Sequence, residues 1–507
     1  MQLSKSILSS IAAKENLLVP GNHLLQLPEK ILQFGTGVLL RGLPDHLVHI
    51  ANKQGCFNGR VVVVKSTTNG DTDAFDVQNG LYTLAVRGID NGHKIAYDEI
   101  VSSISRVLSA QSEWEEILQC AANPSMQIII SNTTELGIVM EKDNVHASPP
   151  QTFPGKLLAF LYQRFKVFNG AADKGMVIVP TELIPDNADK LLAIVLEQAH
   201  LHGFEIAFIE WLEYANYFCN SLVDRIVPGK FSKEEQHENE VRLGYSDELM
   251  IMCEQYALWA IETKKPVVKE LLSFASVNPQ VVLADDIEKF KELKIRLLNG
   301  SHTFSCGLAL LAGFKTVKEA MANNSFNYFI TQLMQQEIAV AIESENISVQ
   351  DAVVFAGQVL DRYRNPFIEH QWLSICTNYT SKMYMRNVPL LYQYAKKKSS
   401  VPELMSLGMA AHILYMRSKK AGDGNYYGNN GTAYLITDPN AAWYEWAWKQ
   451  YGSEKIVEAV LTNSNIWQSN LIHIDGFKNE VNCWLQQLLQ NGAIQTLQQI
   501  QSQNMVK

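Results

Sequence analysis

Lys294, Asn299 and His302 stand at spacings of five and three in "KIRLLNGSH", an apolar stretch of helical texture. At about 100° per residue, Asn299 lies about 140° round an α-helix from Lys294 and His302 about 80° round, so all three fit on one broad side. Lysine is seldom buried without a role. Desolvation lowers the pKa of an ammonium and lets it exchange a proton near neutral pH. An asparagine and a histidine beside it can donate hydrogen bonds to an oxygen that gains negative charge. A solvated face with a satisfied histidine would carry the same three residues, and spacing alone leaves both readings standing.

A second set lies early in the chain. "ILQFGTGVLLRG" places Gly35 and Gly37 between a strand-like run and a helical pattern. Glycines there allow a tight turn and a close backbone approach to a pyrophosphate at the helix N-terminus. Leu40 occupies the sixth position of the full G-x-G-x-x-G fingerprint and Gly42 comes two residues late, so a plain turn is the alternative. The next strand ends at Lys65, where an acidic residue would hold a ribose 2′-hydroxyl. Asp71, Asp73 and Asp76 are the candidate replacements, and NAD against NADP stays open at this point. "SNTTE", Ser131–Glu135, ends another buried strand on the side where open α/β sheets bind ligands; a helix-capping loop would read the same way. "NSLVDRIVPG" sets Asp224 and Arg225 among apolar neighbours, as a structural ion pair also would. Asn187 opens a helical stretch, where asparagine is a favoured N-cap.

The elements that must carry these residues change character along the chain. In the first half "KILQF", "GRVVVVKSTT", "MQIIISNTTE" and "KGMVIVPTEL" read as buried strands. They alternate with the helical patterns "VLLRGLPDHLVHIANKQG", "GKLLAFLYQRFKVF" and "NADKLLAIVLEQAHLHG", the last capped by Asp186 or Asn187. "LYTLAVRGIDNGHKIAYDEIV" reads as a hairpin about Asn91-Gly92. This alternation predicts an α/β, Rossmann-like, doubly wound N-terminal domain over residues 1–285. A mainly α-helical C-terminal domain is expected over residues 286–507, with "AGDGNYYGNNGTAY" as an exposed loop.

At 507 residues the chain is too long for one core. It is 47% apolar and 19% charged, which is ordinary for a globular protein. A formal charge of −9 argues against nucleic-acid and anionic-membrane partners. An anionic substrate therefore needs a local basic site. Seven scattered cysteines, none in C-x-x-C spacing, fit reduced thiols and give no zinc site. The N-terminus has no apolar core long enough for a signal peptide, and no window reaches the roughly 18 apolar residues of a membrane span. A cytoplasmic enzyme is the expectation.

The motifs K-x-x-x-x-N-x-x-H, "FGTGVLLRG" and "VDRI", in that family's order along nearly the whole chain, resemble the long-chain polyol dehydrogenase family of mannitol dehydrogenase. "QNGLYTLAVRG", "SNTTELGI", "LVDRIVPG" and "RNPFIEHQWLSI" are most similar to its hexuronate branch. Asn216 departs from that family's mid-chain signature, and Leu39 and Leu40 replace its usual residues after the glycines. The resemblance implies a metal-independent, NAD-dependent oxidoreductase that reversibly reduces the ketone of a hexuronate. Tagaturonate, giving altronate, is the first candidate, fructuronate the second, and a neutral ketose of the mannitol type the third. It implies Lys294 as general acid/base, with Asn299, His302 and Asn187 on the carbonyl oxygen. Phe34, Gly35, Thr36, Gly37, Val38, Arg41, Asn132 and Asp224 would serve the cofactor. Arg364, His370, Lys382 and Arg386 are the cations available for the substrate carboxylate, arginine being suited to bidentate recognition. With no clustered zinc ligands in the sequence, a group other than a metal must polarise the carbonyl. The remaining expectation is a monomer or weak homo-oligomer.

Overall fold

The computed structural model describes residues 1–12, 14–67, 72–133 and 137–504. The chain forms two units: Met1–Gly88 with Lys94–Ile287, and Ile89–His93 with Glu288–Lys507.

In the first unit, six strands make a parallel sheet: β1 (Glu29–Phe34), β2 (Arg60–Lys65), β3 (Ile104–Ser109), β4 (Ile128–Ser131), β5 (Val177–Pro180) and β6 (Tyr217–Phe218). Their order across the sheet is β3-β2-β1-β4-β5-β6, that of a doubly wound dinucleotide-binding fold. Side chains alternate between the faces at a period of two. Ile31, Val61, Val63, Ile128 and Ile130 enter one core, while Leu32, Phe34, Val62, Val64 and Ile129 enter the other. Both faces are covered, which is why these strands read as unbroken apolar runs. Each fully buried aliphatic side chain contributes roughly 1.5–3 kcal/mol, so this sheet is the rigid platform of the unit.

The helical pattern after β1 is two helices, α1 (Val38–Gly42) and α2 (Pro44–Lys53), where the sequence suggests one. Leu43 leaves helical geometry at φ −132°, ψ −82°, because a residue before proline is crowded out of the α region. α3 (Phe153–Val167) and α4 (Asn187–Leu201) follow β4 and β5. The hairpin Tyr82–Asp90 and His93–Val101 turns at Asn91 and Gly92, both at positive φ, as a two-residue turn of right twist requires. Its strands sit in a four-stranded sheet, and a further three-stranded sheet holds Ser221–Asp224 at one edge.

The second unit is mainly helical. α5 (Glu288–Leu293) runs through a π-helical segment, Lys294–Gly300, into α6 (Ser301–Leu311). α7 (Val349–Tyr363) follows, then the π-helical Met383–Asn387 leading into α8 (Val388–Lys397), and α9 (Glu403–Tyr415). The Gly/Asn-rich stretch expected as an exposed loop forms an antiparallel meander of Ser418–Lys420, Tyr426–Asn429 and Ala433–Leu435. Its tight turns need the glycines that made it look like loop. Gly424 and Gly431 have φ of 85° and 98°.

Candidate active site

The first unit builds a glycine turn at the carboxyl end of β1. Gly35 sits at φ 127°, and a Cβ there would lie 2.9 Å from the Asn132 carbonyl oxygen and 2.9 Å from Leu40 Cδ1. No other residue fits. Gly37 is exposed, and a Cβ on it would meet nothing within 4 Å. The fold thus demands glycine at 35, whereas at 37 it leaves open space beside the backbone. That combination fits a phosphate-bearing cofactor approaching the turn. Thr36 and Val38 are partly buried flanks of the same turn.

Several residues assigned to the cofactor hold the turn from beneath. The Phe34 ring is fully buried, 5.2 Å from Phe153, and its carbonyl accepts from Asn132 N at 3.1 Å. Asn132 Nδ2 donates to Thr181 Oγ1 at 2.9 Å. Arg41 is buried, donating to the Leu249 carbonyl at 2.5 Å with its guanidinium over Phe75 and Tyr82. Arg225 donates to the Gly42 carbonyl at 2.6 Å, so α1 is gripped at its end. Gln33 donates to Asp45 Oδ2 at 3.1 Å, and burial pushes the Asp45 carboxyl up to about 7. Asp224 ends its strand buried. At the ribose position Lys65 Nζ donates to the Thr67 carbonyl at 2.8 Å. Asp73 and Asp76 lie on the short helix that follows. Asp71, Thr134 and Glu135 fall outside the described residues.

Asn187 is buried with its amide engaged on both sides. Nδ2 lies within hydrogen-bonding distance of the Pro180, Glu182 and Ser221 carbonyls, and Oδ1 accepts from Ser221 N. It ties the end of β5 to the strand that ends at Asp224. The expected cap on α4 is supplied from elsewhere. Asp186 occupies the N-cap position in left-handed geometry and makes no capping bond, whereas Asn220 Oδ1 accepts from Ala188 N and Asp189 N. Asn216, the departure from the family signature, accepts from Met176 N and donates to Trp211 O, stapling the helix end to β5.

In the second unit, the π-helix changes the geometry expected for Lys294 and Asn299. With i→i+5 hydrogen bonding, a residue five positions on comes round to nearly the same side one turn away. The α-helical estimate of about 140° therefore does not hold. Both residues are partly buried. His302, in the first turn of α6, is buried with its ring stacked on Tyr363 at 4.1 Å and 15°. The edges of His370 and Trp372 lie 5.2 and 5.8 Å away. Tyr363 is itself fixed, its hydroxyl 3.0 Å from the Leu298 carbonyl and 2.9 Å from Ser301 Oγ. His302 Nε2 is buried with no hydrogen-bond partner among the described residues, so it is available to a polar group brought to it.

Burial first, then His370, Arg362, Arg386 and Lys382, hold His302 well below the usual histidine range. His370 is lowered by burial and by Arg362 and Lys382. Both imidazoles are thus neutral at pH 7 and able to donate or accept. Burial also lowers Lys382, with Arg386 adding to the effect, and lowers Arg386. Lys382 Nζ donates to the Ile375 carbonyl at 3.0 Å, and Arg386 Nη1 donates to Thr303 Oγ1 at 3.2 Å. Arg364 stands differently. It is partly exposed, bonded to Asn327 Oδ1 at 3.0 Å and near Asp361 at 3.6 Å.

The sequence reading passed over Arg362, which is buried and acts electrostatically on both histidines. It lies two positions before Arg364, which places them on different sides of α7 and its end. The aromatic support of His302, Tyr363 and Trp372, was missed as well; no local pattern joins residues so far apart. The result is a cluster of buried and partly buried cations around a neutral histidine, a charge balance suited to an anionic substrate. Among the described residues, no group of three or more His, Cys, Asp or Glu side chains is placed to hold a metal ion, and no helix is long and apolar enough to cross a membrane.

The comparisons with known proteins agree with this layout. Residues 29–273 match the mannitol dehydrogenase Rossmann domain and residues 286–489 the mannitol dehydrogenase C-terminal domain. The chain is 38% identical over 482 residues to altronate oxidoreductase of Bacillus subtilis (strain 168), covering 94% of this chain and 96% of that one. It is 35% identical over 478 residues to altronate oxidoreductase of Escherichia coli O1:K1 / APEC, covering 92% and 96%. Pseudomonas fluorescens mannitol 2-dehydrogenase, solved as a ternary complex with NAD and D-mannitol, shares the fold at TM-score 0.67 and 22% identity over 99% of this chain and all of that one. A substrate-free D-sorbitol dehydrogenase does so at TM-score 0.74 and 17% identity over 98% of this chain and all of that one. The chain belongs to the mannitol dehydrogenase family of oxidoreductases.

Proposed function

We propose that the protein is an NAD-dependent hexuronate oxidoreductase that interconverts the ketone of D-tagaturonate and the alcohol of D-altronate. The observation that carries this reading is the cluster of cations around His302, on the helix that continues from Lys294 and Asn299, in a chain 38% identical to an altronate oxidoreductase. NADH bound at the glycine turn would supply the hydride. Lys294 would give a proton to the ketone oxygen and take it back in the reverse direction; such a tuned donor contributes about 10²–10⁴-fold. Asn299 and the unpartnered Nε2 edge of His302 would hold the oxygen as it gains charge, worth roughly 3–4 kcal/mol for a preorganised donor. Asn187 joins this set by resemblance, and would have to exchange one of its present bonds for the substrate.

The substrate carboxylate would be met by Arg362, Lys382 and Arg386, with His370 as a neutral donor. Arg364 is bonded to Asn327 and lies near Asp361, and would meet the carboxylate less directly. The lysine mechanism requires no metal. Fructuronate is the second substrate on the same chemistry, since it differs in hydroxyl configuration only. The deciding experiment is NADH consumption with tagaturonate, fructuronate and fructose side by side, with and without EDTA. Chelator-resistant turnover of tagaturonate alone is expected. A preference for fructose would discard the carboxylate site, and loss of activity in EDTA would discard the metal-free mechanism.

A further inference from the structure

We infer that Arg296 is a positioning residue that fixes the π-helical turns Lys294–Gly300 and Met383–Asn387 against each other and so sets the reach of Lys294. The inference rests on the proposed role of Lys294. Arg296 lies within the first π segment, two residues after Lys294 and three before Asn299. Its Nη1 donates to the Met385 carbonyl at 3.0 Å and to the Arg386 carbonyl at 2.7 Å, both in the second π segment. Its Nε donates to Glu292 Oε2 at 3.0 Å, one turn back on its own helix.

The sequence explains why the Met385 carbonyl is available. Pro389 follows in "MRNVPLL", and proline brings no N–H to the carbonyl four residues before it, which here is Met385. A regular α-helical bond at that point is impossible, the chain widens into a π turn, and a guanidinium reaches in from the neighbouring helix. A planar fork with several fixed donors can serve two carbonyls and a carboxylate together, which an ammonium cannot. A close backbone approach and one further hydrogen bond complete the same interface. A Cβ on Gly300 would lie 3.1 Å from Asn387 Oδ1, and Arg386 donates back to Thr303 Oγ1. The turn bearing Lys294 and Asn299 is thereby registered on the turn bearing Arg386, which follows directly on Lys382. π turns of this kind cost stability and recur at functional sites.

The test uses the full-length enzyme with whichever of the three sugars it turns over, and compares Arg296→Met, Arg296→Lys, Arg296→Met/Pro389→Ala and Lys294→Ala. Arg296→Met is expected to lower kcat by roughly 10²-fold, the scale of a misplaced reacting group. KM and NADH affinity should change by less than about threefold on that scale, and the basic limb of the kcat–pH profile should move. Arg296→Lys should recover only part of kcat. Adding Pro389→Ala, which restores an N–H for the Met385 carbonyl, should recover part of what Arg296→Met lost. Wild-type kcat and pH profile in Arg296→Met, alongside an inactive Lys294→Ala, would overturn the inference while leaving the lysine mechanism intact. A lowered melting temperature with an unmoved profile would reduce Arg296 to a structural strut and overturn it too. An active Lys294→Ala would instead overturn the proposed role of the lysine, and the inference with it.

Discussion

Replacing Arg362 with glutamine separates recognition of the carboxylate from reduction of the ketone. Arg362 is only 7% exposed, so water screens its charge little and no surface discount applies. A hydrogen bond to a charged group contributes about 1.5–3 kcal/mol; at 1.36 kcal/mol per decade that is roughly 10–150-fold in kcat/KM. The loss should fall on tagaturonate and leave a neutral ketose such as fructose nearly untouched, because fructose has no carboxylate to lose. A second consequence has a fixed sign. Arg362 helps to hold both His302 and His370 below the usual histidine range, so removing it lets both rise, and any acid limb due to them moves to higher pH. The assay is initial-rate NADH oxidation with both sugars from pH 5 to 9, with thermal melting of the variant as a check on folding. An equal loss on both sugars, or none on tagaturonate, would refute the assignment of this arginine to the carboxylate.

The glycine turn predicts a contrast between two similar changes. Gly35→Ala should cost both melting temperature and NADH affinity, since its Cβ would press on the Asn132 carbonyl at 2.9 Å. Gly37→Ala should leave the melting temperature alone yet weaken NADH binding in a fluorescence titration; unchanged affinity would remove the cofactor from that turn. Asp45→Asn gives a signed pH effect on stability. Between its ordinary 3.8 and its folded value of about 7, the folded carboxyl keeps a proton that the unfolded chain releases, so wild-type stability falls as pH rises through that window. Asparagine stays neutral, so the variant's melting temperature should gain on wild type from pH 4.5 to 8; a constant difference would contradict a buried neutral acid. Arg364→Gln should change tagaturonate kcat/KM by less than about tenfold, below the range for a direct charged contact, and a larger loss would return it to the carboxylate site.

The parallel sheet was legible because buried strands announce themselves: "RVVVV" and "IIIS" can face apolar surroundings on both sides and nothing else. The turn at Asn91-Gly92 was legible for a local reason as well, the positive φ both positions require. What escaped depended on bonds that sequence periodicity does not carry. The π turn at Lys294–Gly300 looks α-helical in any residue pattern, and the carbonyls that Arg296 reaches from it lie about ninety positions away, at Met385 and Arg386. Asn220 caps α4 from outside, so the strong local capping signal at Asp186 and Asn187 misled. In the meander at residues 418–435, glycine and asparagine served tight turns between short strands, and composition alone could not tell that from loop. Arg364 and Arg362 look alike in the sequence, but Arg364 is partly exposed and Arg362 buried, and burial is a property of the fold.

The central claim is that Lys294 moves the proton. Its most direct test is Lys294→Ala, assayed for tagaturonate reduction beside an NADH fluorescence titration of the same preparation. A fall of about 10²–10⁴-fold in kcat with NADH affinity unchanged is the predicted result. Turnover within a few-fold of wild type would contradict the lysine mechanism.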